Sequence, residues 1–287
     1  MLTEDIKIYC PAGLETENRI WISKGLQKAP ATEDGFSFES DAYRPGLPWR
    51  VPEAEETAVL FTTDAERTPS RTIGLSKLPE DIADIFIRIG LPGITSDDEL
   101  KILRKHHAAD YIAAMEGMYA YMGSFQCDSP EAFSKIGVVI NEPDKRSVTI
   151  NLKNGCLTGL HLDSWDRLDI GKLDTATNRI CFNLGAQDRF FLFTNLSVKT
   201  LCGWVEQQLS VNPYLMSKNE LCQLFFTHWP EYPVVKLRVK PFEAYIAPTE
   251  NLIHDGCTEG GKQKDICCTA RGYFNVADNI KKHVHGH

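Results

Sequence analysis

The stretch TGLHLDSWD, residues 158–166, sets a histidine and a carboxylate two positions apart, at His161 and Asp163. In an extended segment, side chains at i and i+2 leave the backbone on the same face and stand close together. An imidazole nitrogen and a carboxylate oxygen in that relation can reach one metal ion. The alternative is a hydrogen-bonded polar pair where a strand meets a loop. Two ligands do not make a site, so the metal reading requires a third from a distant strand that closes over the same place.

The chain has eight histidines. His106 and His107 are adjacent within an expected helix, where a ligand pair needs a spacing of three or four; they read as surface residues. His283, His285 and His287 fall in the terminal HVHGH. His228 stands between a helix and a Pro-bounded loop and suits a rim or core position. His254, in APTENLIHDG, comes at the end of a strand just before a turn, which makes it the best-placed third ligand. Arg271 follows in the apolar stretch ICCTARGYF. A buried arginine is costly without an anion beside it, and a planar guanidinium grips a carboxylate through two hydrogen bonds. Its plain alternative is an ion-paired surface residue.

Two histidines, one carboxylate and open coordination positions make up the facial triad of non-haem Fe(II) oxygenases. The order His161-Leu162-Asp163, then His254, then Arg271 resembles the motif of the Fe(II)/2-oxoglutarate-dependent dioxygenase superfamily. The resemblance spans roughly residues 130–277 and leaves the N-terminal part before it unmatched. It implies a double-stranded β-helix (jelly-roll, cupin-like) core. In that core His161, Asp163 and His254 hold Fe(II), and 2-oxoglutarate chelates the metal while Arg271 pairs with its distal carboxylate. The implied chemistry consumes O2, turns 2-oxoglutarate into succinate and CO2, and most often hydroxylates a substrate; ascorbate can assist. Family halogenases lack the carboxylate ligand, so Asp163 points away from halogenation. Around these residues, Arg179 and Asn183 share one strand face, and either touch 2-oxoglutarate or substrate or form an outward polar pair. Thr269 and Tyr273 flank Arg271 and are placed beside the co-substrate. Trp165 walls the substrate side or serves packing.

These residues need elements to position them. A capping pattern at Ser96 and Glu99 and apolar residues at helical period from Leu100 to Met118 predict one helix over 97–122. PEDIADIFIRIG predicts a short helix between a proline and a glycine, and ETAVLFTT, residues 56–63, reads as β-like. Beyond about residue 133 the texture changes to β-rich runs split by Gly, Pro, Asn and Asp, among them RSVTINLKNG, with two short helices at SVKTLCGWVEQQL and MSKNELCQLFF. In VKLRVKPF, Val235, Leu237 and Val239 alternate with Lys236, Arg238 and Lys240, the mark of a strand with one wet face. The expected fold is mostly β with flanking helices (α+β). One domain is expected, with a mixed N-terminal extension over about 1–130 packed on a jelly-roll core over about 131–277, and a tail at 278–287.

Composition narrows the function classes. The chain of 287 residues is 43% hydrophobic and 24% charged, as in a globular protein. A net charge of −8 argues against nucleic-acid or anionic-membrane partners, which favour a basic face. No apolar run approaches the ~20 residues of a membrane span, and the N-terminus has no leader pattern, which reads as cytoplasmic. The nine cysteines are odd in number and scattered, so they are expected to be free thiols. The expected activity is oxidation of a small polar metabolite such as an amino acid or natural product. The rivals are a cupin-type metalloenzyme without 2-oxoglutarate and a metal-free jelly-roll binding protein.

Overall fold

The structure is a computed structural model that describes residues 2–64, 68–127 and 132–277. The expected tail at 278–287 lies outside the described residues. In the N-terminal part run β1 (Lys7–Tyr9), β2 (Ile20–Ile22), β3 (Gly25–Lys28), β4 (Thr32–Glu33), β5 (Phe36–Ser37), β6 (Tyr43–Gly46), α1 (Ala54–Leu60), β7 (Phe61–Thr62), β8 (Thr72–Lys77), α2 (Glu80–Arg88), α3 (Asp97–His106) and α4 (Ala108–Gly123). Then follow β9 (Ser134–Asn141), β10 (Asn178–Asn183), β11 (Arg189–Ser197), α5 (Val198–Leu209), α6 (Lys218–His228), β12 (Val235–Val239), β13 (Glu243–Ala247), β14 (Leu252–Cys257) and β15 (Asp265–Gly272). The fold is mixed α+β.

Two sheets form the centre. The larger has the order β7-β1-β8-β13-β10-β15-β9, and the smaller β14-β11-β12-β2. Side chains that alternate inward from both sheets share one core: Cys181, Tyr245 and Cys267 from the larger meet Phe191, Phe193, Val235 and Leu237 from the smaller. The outward faces are covered too. Ile180, Phe182, Ile266 and Cys268 pack under α2, α3 and α4, and Leu192, Leu196, Ile253 and Cys257 pack under α5 and α6. Covering both faces explains why β10 and β15 are buried along nearly their whole length. The N-terminal part is woven into this arrangement, since β8 pairs with β13 and β2 with β12.

Several local expectations change. The helix over 97–122 is two helices that break at His107, whose backbone is non-helical (φ −118°, ψ 38°). The Ser96 hydroxyl caps α3 as the pattern requires, but Glu99 bonds the Thr95 N–H instead of the Ser96 N–H. The β-like run at 56–63 is helical through Leu60, because a reciprocal Glu53–Glu56 capping box starts α1 ahead of it. Residues 146–155 hold a single bridge, Ile150 to Leu157, in place of a strand. Lys236, expected in water, is buried: its ammonium meets Glu259 at 2.6 Å and lies 4.3 Å from the Phe190 ring centroid. All nine cysteines are free, as expected. No helix among the described residues is long and apolar enough to cross a membrane.

One buried ion pair ties the smaller sheet's edge to the larger sheet. Arg19, just before β2, is 1% exposed and binds both carboxylate oxygens of Glu243 on β13. Removing one partner of such a pair leaves a buried charge uncompensated, at a cost of ~3–5 kcal/mol, whereas replacing both with apolar groups is far milder. Thermal unfolding is therefore expected to show Arg19→Met strongly destabilised and Arg19→Met with Glu243→Leu substantially recovered; equal losses in both would contradict this.

Candidate metal centre

The third ligand position is set by a β-bridge. His161 pairs with His254 in antiparallel fashion, through His161 N–H to His254 O at 3.0 Å and His254 N–H to His161 O at 2.9 Å. The segment bearing the H-x-D pair thus lies alongside β14 as an extra edge of the smaller sheet. Alternation along β14 sends Leu252 and His254 inward and Ile253 out toward the helices. Asp163 follows two residues after His161, its N–H bonded to Thr249 O at 3.0 Å.

Three side chains converge there. His161 Nε2 lies 3.6 Å from Asp163 Oδ1, His254 Nε2 lies 3.8 Å from Asp163 Oδ2, and the candidate ligand atoms all fall within 4.8 Å of one another. The Nδ1 atom of His161 faces Gly159 O at 2.7 Å, and that of His254 faces Leu252 O at 3.2 Å. A carbonyl oxygen can only accept, so each Nδ1 carries the proton and each Nε2 keeps its lone pair for a metal. His254 Nε2 is buried without a hydrogen-bond partner, a costly state in an apolar surround that a metal ion relieves. The cluster can hold a metal ion, and the donor set of two imidazoles and one carboxylate suits a divalent first-row metal.

The electrostatics agree. Burial pushes the His254 imidazole well below its ordinary pKa and keeps it neutral, the ligating form. Burial opposes charge on His161 as well, but the nearby Asp163 carboxylate outweighs it and the net shift is upward. For Asp163, burial works upward, yet the Arg179 charge and the two histidines hold its carboxyl well below the usual range. Burial raises Asp255, which follows His254 and accepts from the Thr149 hydroxyl at 2.7 Å, to about 6.

Arg271 comes to the same place. It is 4% exposed and donates to Asp163 Oδ2 at 2.8 Å, to Thr249 Oγ1 at 3.0 Å and to Thr177 O at 3.1 Å, with Glu250 Oε1 at 3.4 Å. Arg179 stands directly opposite on β10, in register with Arg271, and donates to the same Asp163 Oδ2 at 2.9 Å. Trp165 is 57% exposed, with the Arg271 guanidinium 5.8 Å from its ring centroid, and it lines the cavity over the triad. Thr269 faces the interior further down β15, where its hydroxyl approaches Cys181 Sγ at 3.5 Å.

Two expected contacts fall elsewhere. Asn183 shares the face of Arg179 but sits at the far end of β10, where it bonds Gln187 O, Val239 O and the Gly185 N–H; it closes the turn into β11. Tyr273 lies past the end of β15, is 39% exposed and lines a different cavity with Pro69, Cys127 and Pro248. His228 and the His106–His107 pair are exposed and away from the triad. Glu250 and Lys218 were not anticipated. Glu250 is fully buried and accepts from Lys218 Nζ at 2.5 Å, and Lys218 Nζ also reaches Asp163 O at 2.7 Å. The usable signal was a glutamate in the apolar run AYIAPTENLI, which no surface role explains.

A cavity of about 480 Å³ opens over the triad, lined by Thr158, His161, Asp163, Trp165, Arg167 and the start of α6. Comparison with protein-family models, with curated proteins and with solved structures finds no match.

The site separates two kinds of substitution. His161→Ala is expected to abolish tight Mn(II) binding, read by electron paramagnetic resonance, while leaving metal-free thermal stability nearly unchanged. Asp163→Ala is expected to lose metal and ~3 kcal/mol besides, since it takes the carboxylate from buried Arg271, which keeps only Glu250, and from the half-buried Arg179; a stable Asp163→Ala protein would contradict the charge cluster. Metal must displace the proton on His161, whose pKa is raised. Affinity is therefore full above that pKa and falls as the pH drops through it.

Proposed function

We propose that the protein is an Fe(II)- and 2-oxoglutarate-dependent oxygenase built on a double-stranded β-helix. The observation that carries this reading is the convergence of His161, Asp163 and His254, with protonated Nδ1 atoms held by carbonyls and the candidate ligand atoms within 4.8 Å of one another. Topology supports the fold. From β9 the chain visits the larger sheet, the His161 edge, β10, then β11 and β12, then β13, β14 and β15, crossing between sheets at every step except β11 to β12. Eight strands in that alternation are the pattern of a jelly roll.

Within this reading the chain's own groups have defined tasks. His161, His254 and Asp163 would hold the metal, while Arg179 and Arg271 fix the Asp163 carboxylate through Oδ2. A bound metal with 2-oxoglutarate would activate O2: one oxygen atom would pass to the 2-oxo acid, which leaves as succinate and CO2, and the other would be inserted into a substrate C–H bond. Trp165 and the cavity wall orient a small polar metabolite in front of the metal and exclude water from one side of it. The reaction outcome expected with a carboxylate ligand present is oxygen insertion.

A second reading, a metalloenzyme of the same fold without 2-oxoglutarate, draws on one observation: Arg271 is already engaged by Asp163 and lies beside Glu250. Anaerobically purified protein loaded with Fe(II), then given O2, ascorbate, 2-oxoglutarate and a metabolite panel, is expected to form succinate, and Arg271→Gln to raise the KM for 2-oxoglutarate at least tenfold. Tight metal binding without 2-oxoglutarate binding would move the assignment to the second reading. Failure to bind any divalent ion would sink both and leave a metal-free binding protein.

A further inference from the structure

We infer that Arg167 is the anion anchor of the cavity over the triad, and that the ligand entering this cavity is a small organic carboxylate. The argument begins with a census of charge. Asp163 is matched by Arg179 and Arg271, Glu250 by Lys218 and Arg271, and Asp166 by the Thr177 N–H and hydroxyl at 2.6 and 2.9 Å. At the rim, Asp41 takes the Asn219 amide at 2.8 Å. Arg167 is an exposed residue on the rim of the same cavity, and among the described residues no carboxylate or carbonyl accepts from its guanidinium, which leaves it open to solvent or to a ligand.

Its backbone is unusual as well. Arg167 has φ +53°, the left-handed region that glycine and asparagine enter more readily. Asn18, Asp34, Asp144, Ser210 and Phe242 share this region among the described residues, so the conformation marks the bend that carries Arg167 onto the cavity rim. Two residues earlier the Trp165 ring is largely exposed, and Leu162 and Cys222 give the cavity an apolar wall. A guanidinium and an exposed aromatic ring lining one cavity suit a carboxylate carried on a partly apolar body.

That carboxylate has two possible sources, the co-substrate or the molecule to be oxidised. Only this choice of source rests on the oxygenase reading; the anion site itself does not. Calorimetric titration of the full chain, metal-free and Mn(II)-loaded, tests it with aliphatic and aromatic monocarboxylates, their neutral amides, and 2-oxoglutarate. Carboxylates are expected to bind about tenfold or more tightly than their amides, a difference of ~1.4 kcal/mol. Arg167→Gln is expected to erase that preference and Arg167→Lys to keep part of it, both with an unchanged melting temperature. If Arg167→Gln weakens 2-oxoglutarate on the Mn(II) protein, the anchored anion is the co-substrate. If it spares 2-oxoglutarate and weakens a monocarboxylate, the anion is the second molecule. A carboxylate preference that survives in Arg167→Gln, or no preference in either metal state, overturns the proposal. Absence of Mn(II) binding, read separately, counts against the metal centre and leaves the metal-free titration decisive for Arg167.

Discussion

The carboxylate of Asp163 stands between two guanidiniums, and the geometry of the whole site depends on it. Arg179 on β10 and Arg271 on β15 face each other across a strand pair, in direct register on the inner side of the larger sheet. Two like charges so placed in a low-dielectric interior repel unless an anion lies between them. The anion comes from the other sheet, on the segment that bridges to β14 through His161 and His254. Closing the sandwich at this end and placing the carboxylate ligand beside the histidines are therefore one interaction. Glu250 and Lys218 extend it, joining the turn before β14 to the start of α6.

What could be read from the sequence follows from how local each signal is. His161, Asp163, His254 and Arg271 were legible because period-two alternation and residue chemistry are local, and the structure brings all four together. Trp165 followed from Asp163 by spacing. Asn183 misled because alternation fixes a face and not a height: it shares the face of Arg179 but stands at the other end of β10. Tyr273 misled for a related reason, since strand geometry ends at Gly272. Lys236 looked exposed because nothing in VKLRVKPF reveals that Glu259 and three aromatic rings cover it. The break at His107 is tertiary, as the helical period runs through it without a glycine or proline.

The two oxygens of Asp163 face different neighbours. Oδ1 stands 3.6 Å from His161 Nε2, while Oδ2 takes both arginines and stands 3.8 Å from His254 Nε2. Arginine pairing leaves Oδ1 free of a guanidinium and fixes the carboxylate plane. The same pairing constrains any partner of Arg271. Both terminal nitrogens of its guanidinium already donate, and Nε is the donor left without an acceptor. A ligand carboxylate reaching Arg271 must approach that Nε edge or displace Thr177 and Glu250. Arg167, exposed and without a protein acceptor among the described residues, meets no such competition.

The direction of approach is set by what fills the sandwich. Behind His254 the interior is packed with Phe191, whose ring lies 5.6 Å from the imidazole and stacks on Tyr245 at 4.2 Å. Cys181, Arg189 and Asp265 occupy the space beyond. A ligand cannot enter through close-packed aromatic side chains without a large packing loss, so it arrives from the side of Trp165 and α6. There Lys218 is already paired with Glu250, and the Glu220 carboxylate of the capping box sits at the start of α6, which leaves Arg167 as the cation at the opening without a protein acceptor among the described residues. In a chain of net charge −8, the proposed anion site therefore rests on this one guanidinium and not on a broad positive field.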